Sequence, residues 1–134
     1  MGLEELRAQI DDVDCRIVAL LKERARLVTD VGHLKRANDS QVYCPDREEK
    51  IFQRLAARNE GPLSDQALRA IYVEIISACR ALERPLRIAF LGPEGTFTHQ
   101  AVKQHFGSSA AFDPVGAIWD VFQEVDRGRV DHGV

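Results

Sequence analysis

The sequence predicts a two-part chain: an all-α domain of three helices, followed by the incomplete start of an α/β domain. Three observations carry that expectation. A long apolar seam with alternating four- and three-residue steps runs through the N-terminal third. Two shorter helical patterns follow, separated by the stop Asn59-Glu60-Gly61-Pro62. At Leu86 the character changes to short apolar runs alternating with helical ones.

The first helix is expected from Leu3 to Asn38, with its seam at Leu6, Ile10, Val13, Ile17, Leu20, Leu27, Val31 and Leu34. Acidic residues near its start, and Lys35 and Arg36 near its end, suit the helix macrodipole. At ~1.5 Å per residue it would run on the order of 50 Å, too long for a small monomeric domain to cover. The seam therefore calls for a helical partner, most simply a second copy. The step from Leu20 to Leu27 passes over one seam position, and Arg24 occupies it. A guanidinium there is costly unless something anionic meets it. Lys35 lies about 20° from Arg24 around the helix, whereas Arg7 is turned roughly 100° away. Arg7 would serve the same pocket most easily from another copy of the helix.

Asn38-Asp39-Ser40 favours a turn, and Pro45 suits the first position of a second helix, expected over Pro45 to Arg58 with Ile51, Phe52 and Leu55 buried. Ser64 caps a third helix carrying Leu68, Ile71, Tyr72, Ile75, Ile76, Cys79 and Leu82, ending at Glu83 before Pro85. Beyond it, a strand over Leu86–Leu91 leads into Gly92-Pro93-Glu94-Gly95-Thr96-Phe97. A helix from Thr98 to Phe106, a strand near Ala111–Val115, a helix from about Gly116 to Arg127 and the start of a strand at Asp131–Val134 complete the pattern. Unpaired strand edges are expected to leave residues 86–134 poorly stabilised.

Composition narrows the function. With a net charge of −3 and a pI near 5.8, nothing global favours nucleic acid or an anionic membrane. No apolar run is long enough to span a bilayer, and the N-terminus lacks a signal pattern, so a soluble, cytoplasmic protein is expected. The three cysteines have no CxxC spacing and read as reduced thiols. The scattered histidines offer no metal set and no nucleophile–base order stands out, so neither a metal nor a cofactor is expected.

Helical phase turns Arg7, Arg24, Lys35, Arg47, Glu48 and Glu83 inward. Cations on well-separated turns are what clamping a small polyanion requires, since arginine grips carboxylates bidentately and lysine adds a point charge. Each cation alone is best read as part of a solvated helix face; Arg24 differs because it sits on the seam. Cys44 and Cys79 read as packing or lining residues.

LRAQIDDVDCRIVALLKERARLVTDVGHLK followed by YCPDREEKIFQRL resembles the all-helical bacterial chorismate mutase. SACRALERPLRIAFLGPEGTFTHQA resembles the junction at which that mutase runs into prephenate dehydratase in the bifunctional enzymes. The resemblance covers essentially the whole chain, residues 1–84 as the mutase domain and 86–134 as the opening of the dehydratase. It implies an intertwined homodimer and an intramolecular rearrangement of chorismate to prephenate, a step in phenylalanine biosynthesis that needs no cofactor. By position, Arg24 and Lys35 would bind the substrate carboxylates, with Lys35 also reaching the ether oxygen. Arg7 would come from the partner subunit, Glu48 would hold the ring hydroxyl and Arg47 would support the charge network. Cys44 falls where the family contacts that hydroxyl, Cys79 where a serine can assist a carboxylate, and Glu83 where relatives place glutamine near the ether oxygen.

The GPEGTF loop, Gly92, Pro93, Glu94, Gly95, Thr96 and Phe97, would shape part of a prephenate pocket, with Thr96 a candidate contact. On its own it could be any glycine-rich phosphate-type loop. The dehydratase's catalytic Thr-Arg-Phe motif is absent, so this chain is expected to read as a fragment of a longer enzyme without dehydratase activity. Two alternatives stay open: a non-catalytic helical dimer that binds an anionic metabolite, and a purely structural dimerisation hairpin.

Overall fold

The computed structural model describes residues 2–37, 44–82 and 86–134. The expected turn at residues 38–40, Glu83 and Pro85 lie outside the described residues. Three helices come first: α1 (Leu3–Ala37), α2 (Pro45–Arg58) and α3 (Asp65–Ala81). The α/β unit follows as β1 (Arg87–Leu91), α4 (Phe97–Phe106), β2 (Ala111–Val115), α5 (Ile118–Asp126) and β3 (His132–Gly133).

Local chemistry sets the helix ends. Pro45 opens α2, with Asp46 and Glu48 in the first turn against the positive end of the helix. The Ser64 hydroxyl accepts the Ala67 amide at 3.0 Å and starts α3. Between them Asn59 organises the turn. Its side-chain amide donates to the Leu63 carbonyl at 2.9 Å and to Asp65 Oδ1 at 2.7 Å, and its oxygen accepts the Gly61 amide at 3.1 Å. Gly61 takes a φ of +81°, open to glycine without strain. α4 begins at Phe97, one residue before the expected start, because the Thr96 hydroxyl caps it by accepting the His99 amide at 3.3 Å.

Both α1 and α2 pack on α3. In this arrangement Ile51, Phe52 and Leu55 are half-buried rather than buried, since a single neighbouring helix covers them. On α3, Ile76 and Cys79 are buried, but Ile71 and Leu82 are exposed, against the expectation of one continuous inward face. Every seam residue of α1 remains exposed, from 41% at Val13 to 66% at Leu34. Such a contiguous apolar stripe on a helix marks an interaction face.

The sheet has the order β2-β1-β3, with both pairings parallel and Arg87 opposite Ala111 in one of them. Central β1 carries the core: Ile88, Ala89 and Phe90 are fully buried. Leu86, Ile88 and Phe90 pack against Val102 and Phe106 of α4, and Ala89 and Val130 cluster with Val121 of α5. β2 and β3 are edge strands among the described residues. No helix of the described residues is long and apolar enough to cross a membrane.

Candidate active site

The three helices of the first unit enclose a cavity of about 190 Å³. α1 supplies Arg24 and Lys35 to its wall, α2 supplies Arg47 and Glu48, and α3 supplies Cys79 and Arg80, with Cys44 at the entry to α2. Val28, Val31, Ile51 and Ile76 form the apolar part of the lining. Arg24 and Lys35 are half-buried on the same stripe of α1, which is the consequence of their helical phase.

Arg80 is the residue that sequence reasoning missed. It is 6% exposed, and one of its terminal nitrogens donates to a Glu48 carboxylate oxygen at 3.0 Å. The pair ties α3 to α2 across the cavity. Its sequence signal was available: Arg80 lies four residues after buried Ile76 and next to Cys79, so helical spacing places it on the inward face. Burial pushes the Glu48 carboxyl above the ordinary carboxylate range, opposed by the charges of Arg80 and His105 and by the hydrogen bond from Arg80. The Lys35 ammonium contacts the Cys44 sulfur at 2.8 Å and so joins the end of α1 to the start of α2.

Of the residues singled out from sequence, Arg24, Lys35, Cys44, Arg47, Glu48 and Cys79 meet at this cavity. Arg7 does not line it: near the opposite end of α1 it is exposed and pairs loosely with Glu4 at 3.6 Å. Glu83 lies outside the described residues.

The GPEGTF loop sits at the C-terminal end of β1, where parallel α/β sheets place their ligands. The Gly92 amide donates to the Val115 carbonyl at 2.9 Å and the Gly95 amide to His99 Nδ1 at 2.8 Å. Thr96 is engaged as the α4 cap, and Phe97 is 89% exposed. A larger groove of about 800 Å³, bordered by Ile118, Trp119, Phe122, Val125 and Val134, is mainly apolar, with Asp126 the one charged side chain among its described lining residues. Among the described residues no group of three or more His, Cys, Asp or Glu side chains could hold a metal ion.

Among the described residues, four cations against one carboxylate give the small cavity a formal surplus of positive charge, drawn from three helices. Chemically this is a holder of small polyanions, built on rigid elements. The chain belongs to the chorismate mutase type II family, whose pattern matches residues 6–84. Residues 88–134 match prephenate dehydratase.

Two solved structures of chorismate mutase from Thermus thermophilus resemble the chain at 38% identity. Form I has a TM-score of 0.57, covering 57% of this chain and 96% of its own. Form II has a TM-score of 0.60, covering 61% and 94%. The bifunctional chorismate mutase/prephenate dehydratase of Aquifex aeolicus is 44% identical over 136 residues, and that of Stutzerimonas stutzeri 42% over 137. Those alignments cover 98% of this chain but only 38% of each relative's length. The expected family and the helical-then-α/β architecture are thus borne out.

Proposed function

We propose that this chain is a chorismate mutase that converts chorismate to prephenate in the cytoplasm, as a step toward phenylalanine. The observation that carries the reading is the convergence of Arg24, Lys35, Arg47 and Arg80 on one cavity, with Glu48 the single carboxylate beside them among the described residues. The substrate is a dianion, and its rearrangement is intramolecular, so the protein has no group to transfer. Its task is to hold the compact reactive conformer and to stabilise charge as it builds on the ether oxygen.

In this reading Arg24 and Lys35 bind the substrate carboxylates, and Lys35 also reaches the ether oxygen. To do so its ammonium exchanges or shares the contact with the Cys44 sulfur. Glu48, ionised and held by Arg80, accepts the ring hydroxyl. Arg47 reinforces the field at the exposed rim of the cavity. Cys44 offers its backbone to the hydroxyl, and Cys79 packs beside a carboxylate. Glu83, protonated, donates a hydrogen bond to the ether oxygen.

The chain acts as a homodimer. The uncovered seam of α1 is its self-complementary face, and Arg7 enters the partner's cavity. The relatives' dehydratase activity belongs to proteins of which this chain spans 38%. The GPEGTF loop is proposed as a wall of a prephenate site in that larger context. Following the absorbance loss of chorismate tests the reading. Turnover that Arg24→Ala abolishes without changing the oligomeric state supports it; saturable binding without turnover, or no binding, overturns it.

A further inference from the structure

The two units of this chain meet at a tight joint beside the cavity. Gly107, at the end of α4, has a φ of +81°, and a Cβ there would collide with the Ser77 Cβ and stand 3.1 Å from the Val73 carbonyl. One residue on, the Ser108 amide donates to both Glu74 carboxylate oxygens, at 3.1 and 3.0 Å, and its hydroxyl donates to one of them at 3.1 Å. These contacts seat the last turn of α4 on α3. They bring Gln104 and His105 into a crevice shared with Pro45, Glu48, Phe52 and Val73. Glu48 therefore borders two spaces: the cation-lined cavity on one side and this crevice on the other.

We infer that His105, although it belongs to the α/β unit, is a positioning residue of the helical unit's site, acting on the Glu48 carboxylate from the crevice side. The inference rests on the proposed mutase function, in which ionised Glu48 holds the substrate hydroxyl. Glu48 is faced by Arg80 from α3, by Arg24 and Lys35 from α1 across the cavity and by His105 from α4. Arg47 and Glu49 flank it on its own helix, and Glu49 is itself paired with Arg69 of α3 at 3.4 Å. Burial disfavours the Glu48 carboxylate, and the charges of Arg80 and His105 act against that penalty. One of the two side chains that act on Glu48 thus comes from the α/β unit.

The test is a carbon-13 NMR titration of the glutamate carboxyls in the whole chain, with the Glu48 signal identified by its loss in Glu48→Gln. In His105→Gln the Glu48 midpoint moves up by a few tenths of a pH unit, the size expected of a partly screened pair. His105→Lys restores it and His105→Glu moves it further up, an order that follows charge and not packing. In parallel, kcat/KM for chorismate on the acidic limb falls about two- to threefold in His105→Gln and recovers in His105→Lys. A Glu48 midpoint indifferent to the charge at position 105 overturns the inference even if the chain is an active mutase. A midpoint that follows the charge in a protein without turnover keeps the electrostatic link and removes the mutase reading instead.

Discussion

Replacing Ile17 by aspartate puts a charge in the middle of the α1 seam, at a residue 48% exposed in the single chain. Complete burial of an aliphatic side chain is worth about 1.5–3 kcal/mol, so covering the remaining half of Ile17 contributes about 0.7–1.4 kcal/mol. The eight seam residues retain 41–66% exposure, so a covered seam contributes about 6–12 kcal/mol per protomer. Both protomers together gain about twice that, against an association cost of about 4–15 kcal/mol. A twofold interface carries the substitution twice. Each copy forfeits about 1 kcal/mol of burial and adds a desolvation penalty of several kcal/mol. Dimerisation should weaken at least about a thousandfold. Sedimentation equilibrium at micromolar protein should find a dimer for the parent chain and a monomer for Ile17→Asp, and chorismate turnover should disappear with the dimer. A variant that stays dimeric, or a monomer that retains full turnover, would refute the reasoning.

Further outcomes follow from the joint and the site. Gly107→Ala combines a left-handed φ with a clash against Ser77, so thermal unfolding should register a loss of about 2–4 kcal/mol. Mutase activity should fall as pH drops through the raised pKa of Glu48, with a midpoint above the ordinary carboxylate range; an acidic limb retained in Glu48→Gln would assign it elsewhere. The effect of the same group on stability has the opposite sense. A carboxyl whose folded pKa exceeds its unfolded value contributes most below the unfolded pKa, and that contribution declines as pH rises through the folded one. If Glu83 donates to the ether oxygen, Glu83→Gln should flatten a decline in turnover with rising pH, and matching profiles would remove Glu83 from the mechanism.

Much of this molecule was legible from residue order because local chemistry decides it. Pro45 and the Gly61-Pro62 stop bracket α2, Ser64 caps α3, and the period of α1 places Arg24 and Lys35 on one stripe. The less legible features depend on distant contacts. Arg80 was passed over because a buried arginine makes sense only once Glu48 is known to stand opposite it. The half-burial of Ile51, Phe52 and Leu55 depends on how many neighbours α2 has. The seating of Gly107 against Ser77 joins residues thirty positions apart, and no periodicity announces such a meeting. Arg7 shows the reverse case: its phase already set it apart from Arg24, and the structure leaves it outside the cavity of its own chain.

A subunit-mixing assay tests the central claim most directly. Arg7→Ala and Arg24→Ala should each be dimeric and inactive. If each site joins Arg24 of one chain to Arg7 of the other, a mixed dimer contains one intact site, and an equal mixture after exchange should recover about one quarter of parental activity. If both arginines served a site from the same chain, every site in the mixture would lack one of them, and a mixture as inactive as its parents would contradict the account.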